Sequence, residues 1–155
     1  MKEFTKKYRE YNPIRVYNDL TIEEAFNLEL EIYKRLSGNN NFPKLIRFDD
    51  KKFTITIEHC GTSVDKLKSM KIDNIDEQIN NILNTLEKNK INHLDIHDSG
   101  KNICYKDGVI YLIDFDIAVI DNKPLNKKLK SILDNYKEVN IKELLKNILN
   151  KKRET

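Results

Sequence analysis

Three side chains in the middle of the sequence could together hold a hard metal ion: Asp95, Asn102 and Asp114. Asp95 lies in the polar run His93-Leu-Asp-Ile-His-Asp-Ser-Gly-Lys-Asn102, which follows an apolar helical stretch and precedes an apolar hairpin. Twelve residues beyond Asn102, Asp114 leaves a strand-like run in Ile113-Asp-Phe-Asp116. Two carboxylates and a carboxamide arriving from adjacent loops suit Mg2+, which takes one or two carboxylates and keeps room for water and phosphates. Phosphoryl transfer requires little else: a metal, positioning, and a group to receive the nucleophile's proton. A second arrangement is open for the same run. On an extended segment His93, Asp95 and His97 would point to one side, and with Asp98 they form a reasonable Zn2+ set.

The elements that must position these groups are legible from periodicity. Thr21 makes an N-cap, with Glu23 and Glu24 in the first turn where the helix dipole favours negative charge. Ile22, Phe26, Tyr33 and Leu36 then recur at helical spacing, and Ser37-Gly38 ends the run. Glu29 falls at the centre of that apolar stripe. An ionised carboxylate there is costly unless a cation meets it. Arg15, in the run Ile14-Arg-Val-Tyr17 that reads as the first strand, is the available partner.

A hairpin follows, Leu45–Phe48 and Phe53–Ile57 across Asp49-Asp-Lys-Lys52, and its second run alternates with period two. Cys60-Gly-Thr-Ser63 reads as a connector. A helix covers about 74–88, and a second hairpin joins Asn102–Tyr105 to Val109–Ile113 across Lys106-Asp-Gly108. Short helices are expected near Leu129–Tyr136 and from Ile141 to Leu149. Strands with one helix, then helices carrying one short hairpin, predict an α+β chain of two small lobes hinged near 58–64.

Size and composition agree. A chain of 155 residues with 39% hydrophobic side chains can build one domain, or two small lobes sharing an interface. The net charge of +3 is a mild excess, and no basic stripe is interleaved with aromatics, which disfavours nucleic acid as a partner. The two cysteines lack any C-x-x-C spacing, and no apolar run approaches a membrane span or a signal peptide. These features predict a cytoplasmic chain with reduced thiols and no membrane association.

The spacing of these residues resembles the protein-kinase superfamily, in the compact atypical branch that includes RIO-type, lipopolysaccharide-type and small tRNA-modification-linked kinases. The resemblance runs from about Ile14 to Ala118. It implies a minimal two-lobed kinase-like domain over 1–155, with an N-lobe over about 1–58, a hinge over about 59–64 and a C-lobe over about 65–155. Glu29 resembles the helix-C glutamate. Ile57-Glu-His-Cys-Gly61 resembles the hinge that contacts adenine through its backbone, which makes Glu58 and Cys60 nucleotide-binding residues. Asp95 would be the catalytic base, Asn102 and Asp114 the Mg2+ ligands, and Asp114-Phe-Asp116 would stand where the family has Asp-Phe-Gly. Val16, Ile57 and Ile113 would line the nucleotide pocket. ATP and Mg2+ are the cofactors so implied, and the reaction is transfer of the γ-phosphate to a hydroxyl, of protein Ser/Thr or of a small molecule.

The chain departs from that pattern in four places. Arg15 occupies the place of the strand lysine that grips the phosphates, and a planar guanidinium is not a point charge. No glycine precedes Asn12, so the Gly-rich loop is missing and the N-lobe reads as truncated. Asn102 lies two residues further from Asp95 than the pattern has, so either the loop bulges or Asp98 substitutes for it. Nothing resembling Ala-Pro-Glu follows Asp116, so the C-lobe reads as shortened. These departures leave open an inactive pseudokinase acting as a scaffold, and a completing protein partner or a homodimer.

Overall fold

The computed structural model describes residues 2–10 and 19–154. The expected strand Ile14–Tyr17, with Arg15 and Val16, lies outside the described residues. The first strand described is β1, Glu3–Lys7. Its hydrophobic content is low because it is an edge strand: the sheet order is β1-β3-β2, with β2 at Leu45–Asp49 and β3 at Thr54–Glu58. Only the central strand needs two apolar faces, and there Ile55, Thr56 and Ile57 are buried.

Helix α1, Ile22–Leu36, begins with a full capping box. The Thr21 hydroxyl accepts from the Glu24 N–H at 3.0 Å, and the Glu24 carboxylate accepts from the Thr21 N–H at 3.0 Å. Its buried face carries Phe26, Ile32, Tyr33 and Leu36, and among them Glu29. At its far end Arg35 forms a two-pronged ion pair with Asp121 at 3.0 and 2.9 Å and donates to the Asn89 carbonyl at 3.0 Å. This clamp ties the end of α1 to segments well beyond it in sequence, so the helix has little freedom to rotate Glu29 away.

The second half is built from α2 (Ile75–Lys88), α3 (Lys127–Tyr136) and α4 (Ile141–Asn150) with small antiparallel sheets. One has the order β4-β6-β7, from Thr62–Ser63, Ile103–Lys106 and Val109–Leu112. The other pairs β5, Ile91–Asn92, with β8, Val119–Ile120. One apolar core runs through both halves, from Phe26 and Leu36 through Phe42 and Phe115 to Ile79, Leu112 and Leu149. The architecture is α+β, as the periodicity predicts. Among the described residues, no helix is long and apolar enough to cross a membrane.

Strand β7 lies at a sheet edge, yet its outward backbone groups are satisfied. Gln78 Oε1 accepts from the Ile110 N–H at 2.9 Å, Asn41 Nδ2 donates to the Ile110 carbonyl at 2.8 Å, and Leu112 N–H donates to the Asn41 carbonyl at 3.0 Å. Asn41 Nδ2 also donates to Gln78 Oε1 at 3.0 Å, closing a buried network. Buried backbone groups need such partners. Here they make a rigid rail of the strand that delivers Asp114.

Candidate functional site

Four segments converge. β1 contributes Lys6, α1 contributes Glu29, the loop after β5 carries His93 to Lys101, and the loop after β7 carries Ile113 to Ala118. Lys6 Nζ donates to Glu29 Oε1 at 2.7 Å, forms a short hydrogen-bonded ion pair with Asp116, and lies 3.6 Å from Asp114 Oδ1. Among the described residues the cation that meets Glu29 is therefore Lys6. Arg15, expected in that place, lies outside the described residues. Glu29 is 1% exposed, and its other oxygen accepts the Phe115 N–H at 3.1 Å while the Tyr8 hydroxyl donates to Oε1. One buried carboxylate thus joins a strand, a helix and the Asp114 loop, with its lone pairs satisfied as burial demands.

The second loop is organised by His93. Burial lowers its pKa and keeps the ring neutral. Nδ1 accepts the Asp95 N–H at 3.1 Å, which leaves Nε2–H to donate to the Ile113 carbonyl at 2.7 Å. The ring also packs edge-on against Phe115, with centroids 4.9 Å apart. His93 therefore staples the Asp95 loop to the Asp114 loop, and the Zn2+ arrangement does not form: both its nitrogens are engaged, and His97 is exposed beside Asp98 and Ser99.

Asn102 completes the junction. Its Nδ2 donates to the Asp95 carbonyl at 2.7 Å and to Asp95 Oδ2 at 3.1 Å, and its own carbonyl accepts the Ile113 N–H at 3.0 Å. The two extra residues are absorbed by a turn closed from the Gly100 N–H to the His97 carbonyl at 2.9 Å. Asp98 stands on that turn with its side chain 78% exposed, away from the junction. Leu94 and Asp114 both adopt positive φ, at 65° each. Such backbone costs energy for a residue with a side chain, and it persists where surroundings over-determine it.

The electrostatics are lopsided: Glu29, Asp114 and Asp116 all offer oxygens within 4.8 Å of one another and, among the described residues, face one lysine. Burial pushes Asp116 up, the Glu29 charge and its hydrogen bond to Asp114 push it further, and its pKa reaches about 11. Burial would raise Asp114 too, but the hydrogen bond from Asp116 and the Lys6 charge outweigh it, so its pKa falls. Burial opposes the charge on Lys6, yet Glu29, Asp116 and Asp114 together raise its pKa well above the usual value.

A cleft of about 840 Å³ opens beside these groups. Lys6, Ile57, Glu58, Cys60, Gly61, Ile113 and Asp114 line it. Gly61 is required at this connector: φ is 92°, and a Cβ would stand 2.3 Å from the Tyr105 carbonyl oxygen. The structure thus brings Glu29 to Asp114, Asp95 to Asn102, and Glu58 and Cys60 to the same cleft. Lys6, Tyr8 and Asp116 join the cluster although periodicity does not single them out. The cue for Lys6 was a cation on any strand preceding Glu29, a criterion Arg15 met equally well.

No protein-family profile matches the chain, and no curated protein matches it. Among solved structures the chain is similar to the Cydia pomonella Granulovirus kinase PK-1, with a TM-score of 0.49 and 20% identity. The similarity covers 61% of this chain and 41% of that one, so the chain spans well under half of the viral kinase's length.

Proposed function

We propose that this chain is an ATP- and Mg2+-dependent phosphotransferase of the protein-kinase type, acting on a hydroxyl, with protein Ser/Thr as the favoured acceptor. The reading is carried by one observation: Lys6 and Glu29 form a buried pair whose second carboxylate oxygen holds the Phe115 amide, next to Asp114. A cation and a metal-type carboxylate then line one cleft, and the His93 ring links the Asp95–Asn102 loop to Ile113, the residue before that carboxylate.

The donor set fits Mg2+. Among the described residues Asp114 Oδ1 is the buried side-chain oxygen left without a hydrogen-bond partner, and carboxylate and carboxamide oxygens suit a hard cation. Asp114 and Asn102 would hold the ion, which would neutralise charge on the phosphates when bound. Lys6 would orient the phosphates by its charge. Glu58 and Cys60 would receive the base at the connector through their backbone. Asn102 fixes Asp95 through the carbonyl and Oδ2, so the acceptor hydroxyl's proton would pass to Asp95 Oδ1. The cleft would lie between an N-lobe over about 1–58 and a C-lobe over about 65–155.

The alternative, a non-catalytic scaffold, is favoured by one feature, the hold of Asp116 on Lys6, which competes with phosphate for the same ammonium. Nucleotide binding separates the ideas first. ATP with Mg2+ at one hundred times Kd should stabilise the protein by about 2.7 kcal/mol, a rise in Tm of roughly 5–10 °C. Absence of any shift at millimolar Mg·ATP would remove the enzymatic reading.

A further inference from the structure

The lining of the cleft includes a large apolar side chain that the residues assigned above do not explain. Phe4 is 51% exposed and lines the cleft. It lies two residues before Lys6 on β1, so both side chains project from the same face of the strand, roughly 7 Å apart. The register places Lys6 opposite Ile55 and Phe4 opposite Ile57, one pair from Glu3 opposite Glu58. Along the strand, therefore, Lys6 marks the carboxylate end of the cleft and Phe4 the connector end. Ile113 and Cys104 also line the cleft.

Scattered exposed apolar residues are ordinary on protein surfaces. Phe4 differs in standing within a concave site, beside buried Ile57 and in line with the cation. An aromatic ring there offers a π-face to a flat heterocycle, and stacking of a base on an aromatic side chain is strong and tolerant of base identity. We propose that Phe4 is the base-stacking residue of this cleft, and that the ligand is recognised as a nucleoside by this ring rather than by its phosphates alone. The inference rests on the reading of the cleft as a nucleotide site. It adds that the aromatic contact comes from the edge strand itself, two residues from the phosphate-facing lysine.

Calorimetric titration with three probes tests it: Mg·ATP, adenosine, and tripolyphosphate with Mg2+. The parent and the Phe4→Ala and Phe4→Trp variants are compared. Phe4→Ala should weaken Mg·ATP and adenosine by about ten-fold or more, with tripolyphosphate changed by less than about two-fold. Phe4→Trp should keep both nucleoside affinities. Because Phe4 is half exposed, circular dichroism and Tm of Phe4→Ala should match the parent, which separates lost stacking from lost folding. Unchanged nucleoside binding by Phe4→Ala would overturn the proposal while leaving the nucleotide site standing, and so would equal weakening of tripolyphosphate. A parent that binds tripolyphosphate but neither nucleoside probe would overturn the nucleotide reading itself, and this inference with it.

Discussion

Replacing Lys6 by methionine is expected to lower stability by about 3–5 kcal/mol and to remove most nucleotide-dependent activity. The pair is buried: the Glu29 side chain is 1% exposed and the Lys6 side chain 14%. Taking away the cation strands Glu29 and the Asp114–Asp116 pair in a poorly solvated pocket, which is the costly way to break a buried ion pair. Proton uptake by the carboxylates limits the loss but does not restore the cation proposed to orient the phosphates. The double variant Lys6→Met/Glu29→Gln should therefore recover part of the stability and none of the activity. Chemical denaturation and a transfer assay on the three proteins check this. Arg15 lies outside the described residues, and Arg15→Met is the control that separates the two cations. Loss of activity in Arg15→Met, with Lys6→Met unaffected, would return the role to Arg15.

Asp114→Asn is the second large effect, and it should separate function from folding. Asp114 lies 3.6 Å from Lys6, whereas Asp116 and Glu29 pair with the ammonium directly. With Asn at 114 both of those partners remain, and the cation stays met. Stability should change by no more than about 1 kcal/mol. Activity should fall by roughly 10²–10³-fold, since a carboxylate that would hold the charge-neutralising ion is lost. The dependence of ATP affinity on Mg2+ should vanish with it. Titration of the variant with ATP, with and without Mg2+, reads this directly; an undiminished Mg2+ effect would exclude Asp114 as the ligand.

Much of this site is legible in the sequence because its chemistry is local. The Asp95–Asn102 run, Asp114 and the polar intrusion of Glu29 into an apolar helical stripe all stand out at short range. The hairpins and the capped helix follow from period and turn chemistry, and their bounds shift by a residue or so. Lys6 was hidden for a physical reason. An edge strand buries little, so Glu3-Phe-Thr-Lys-Lys7 shows no apolar alternation, whereas Ile14-Arg-Val-Tyr17 shows β-branched and aromatic residues around a cation. Asp116 is visible only as the residue standing where the resemblance has glycine. Its contact with Lys6 depends on how two loops and a strand fold together, which no local pattern encodes. The bulge before Asn102 resolved in the same way, through the His93 staple and the Gly100 turn.

The central claim is that these residues transfer phosphate. Its most direct test follows the γ-phosphate of isotopically labelled Mg·ATP in single-turnover conditions, with a Ser/Thr-rich protein mixture as acceptor, for the parent and Asp95→Asn. The account predicts label on acceptor hydroxyls with the parent, and a rate at least about 10²-fold lower with Asp95→Asn at equal ATP affinity. ATP bound by the parent with no label leaving it, or the same rate from Asp95→Asn, would contradict the account.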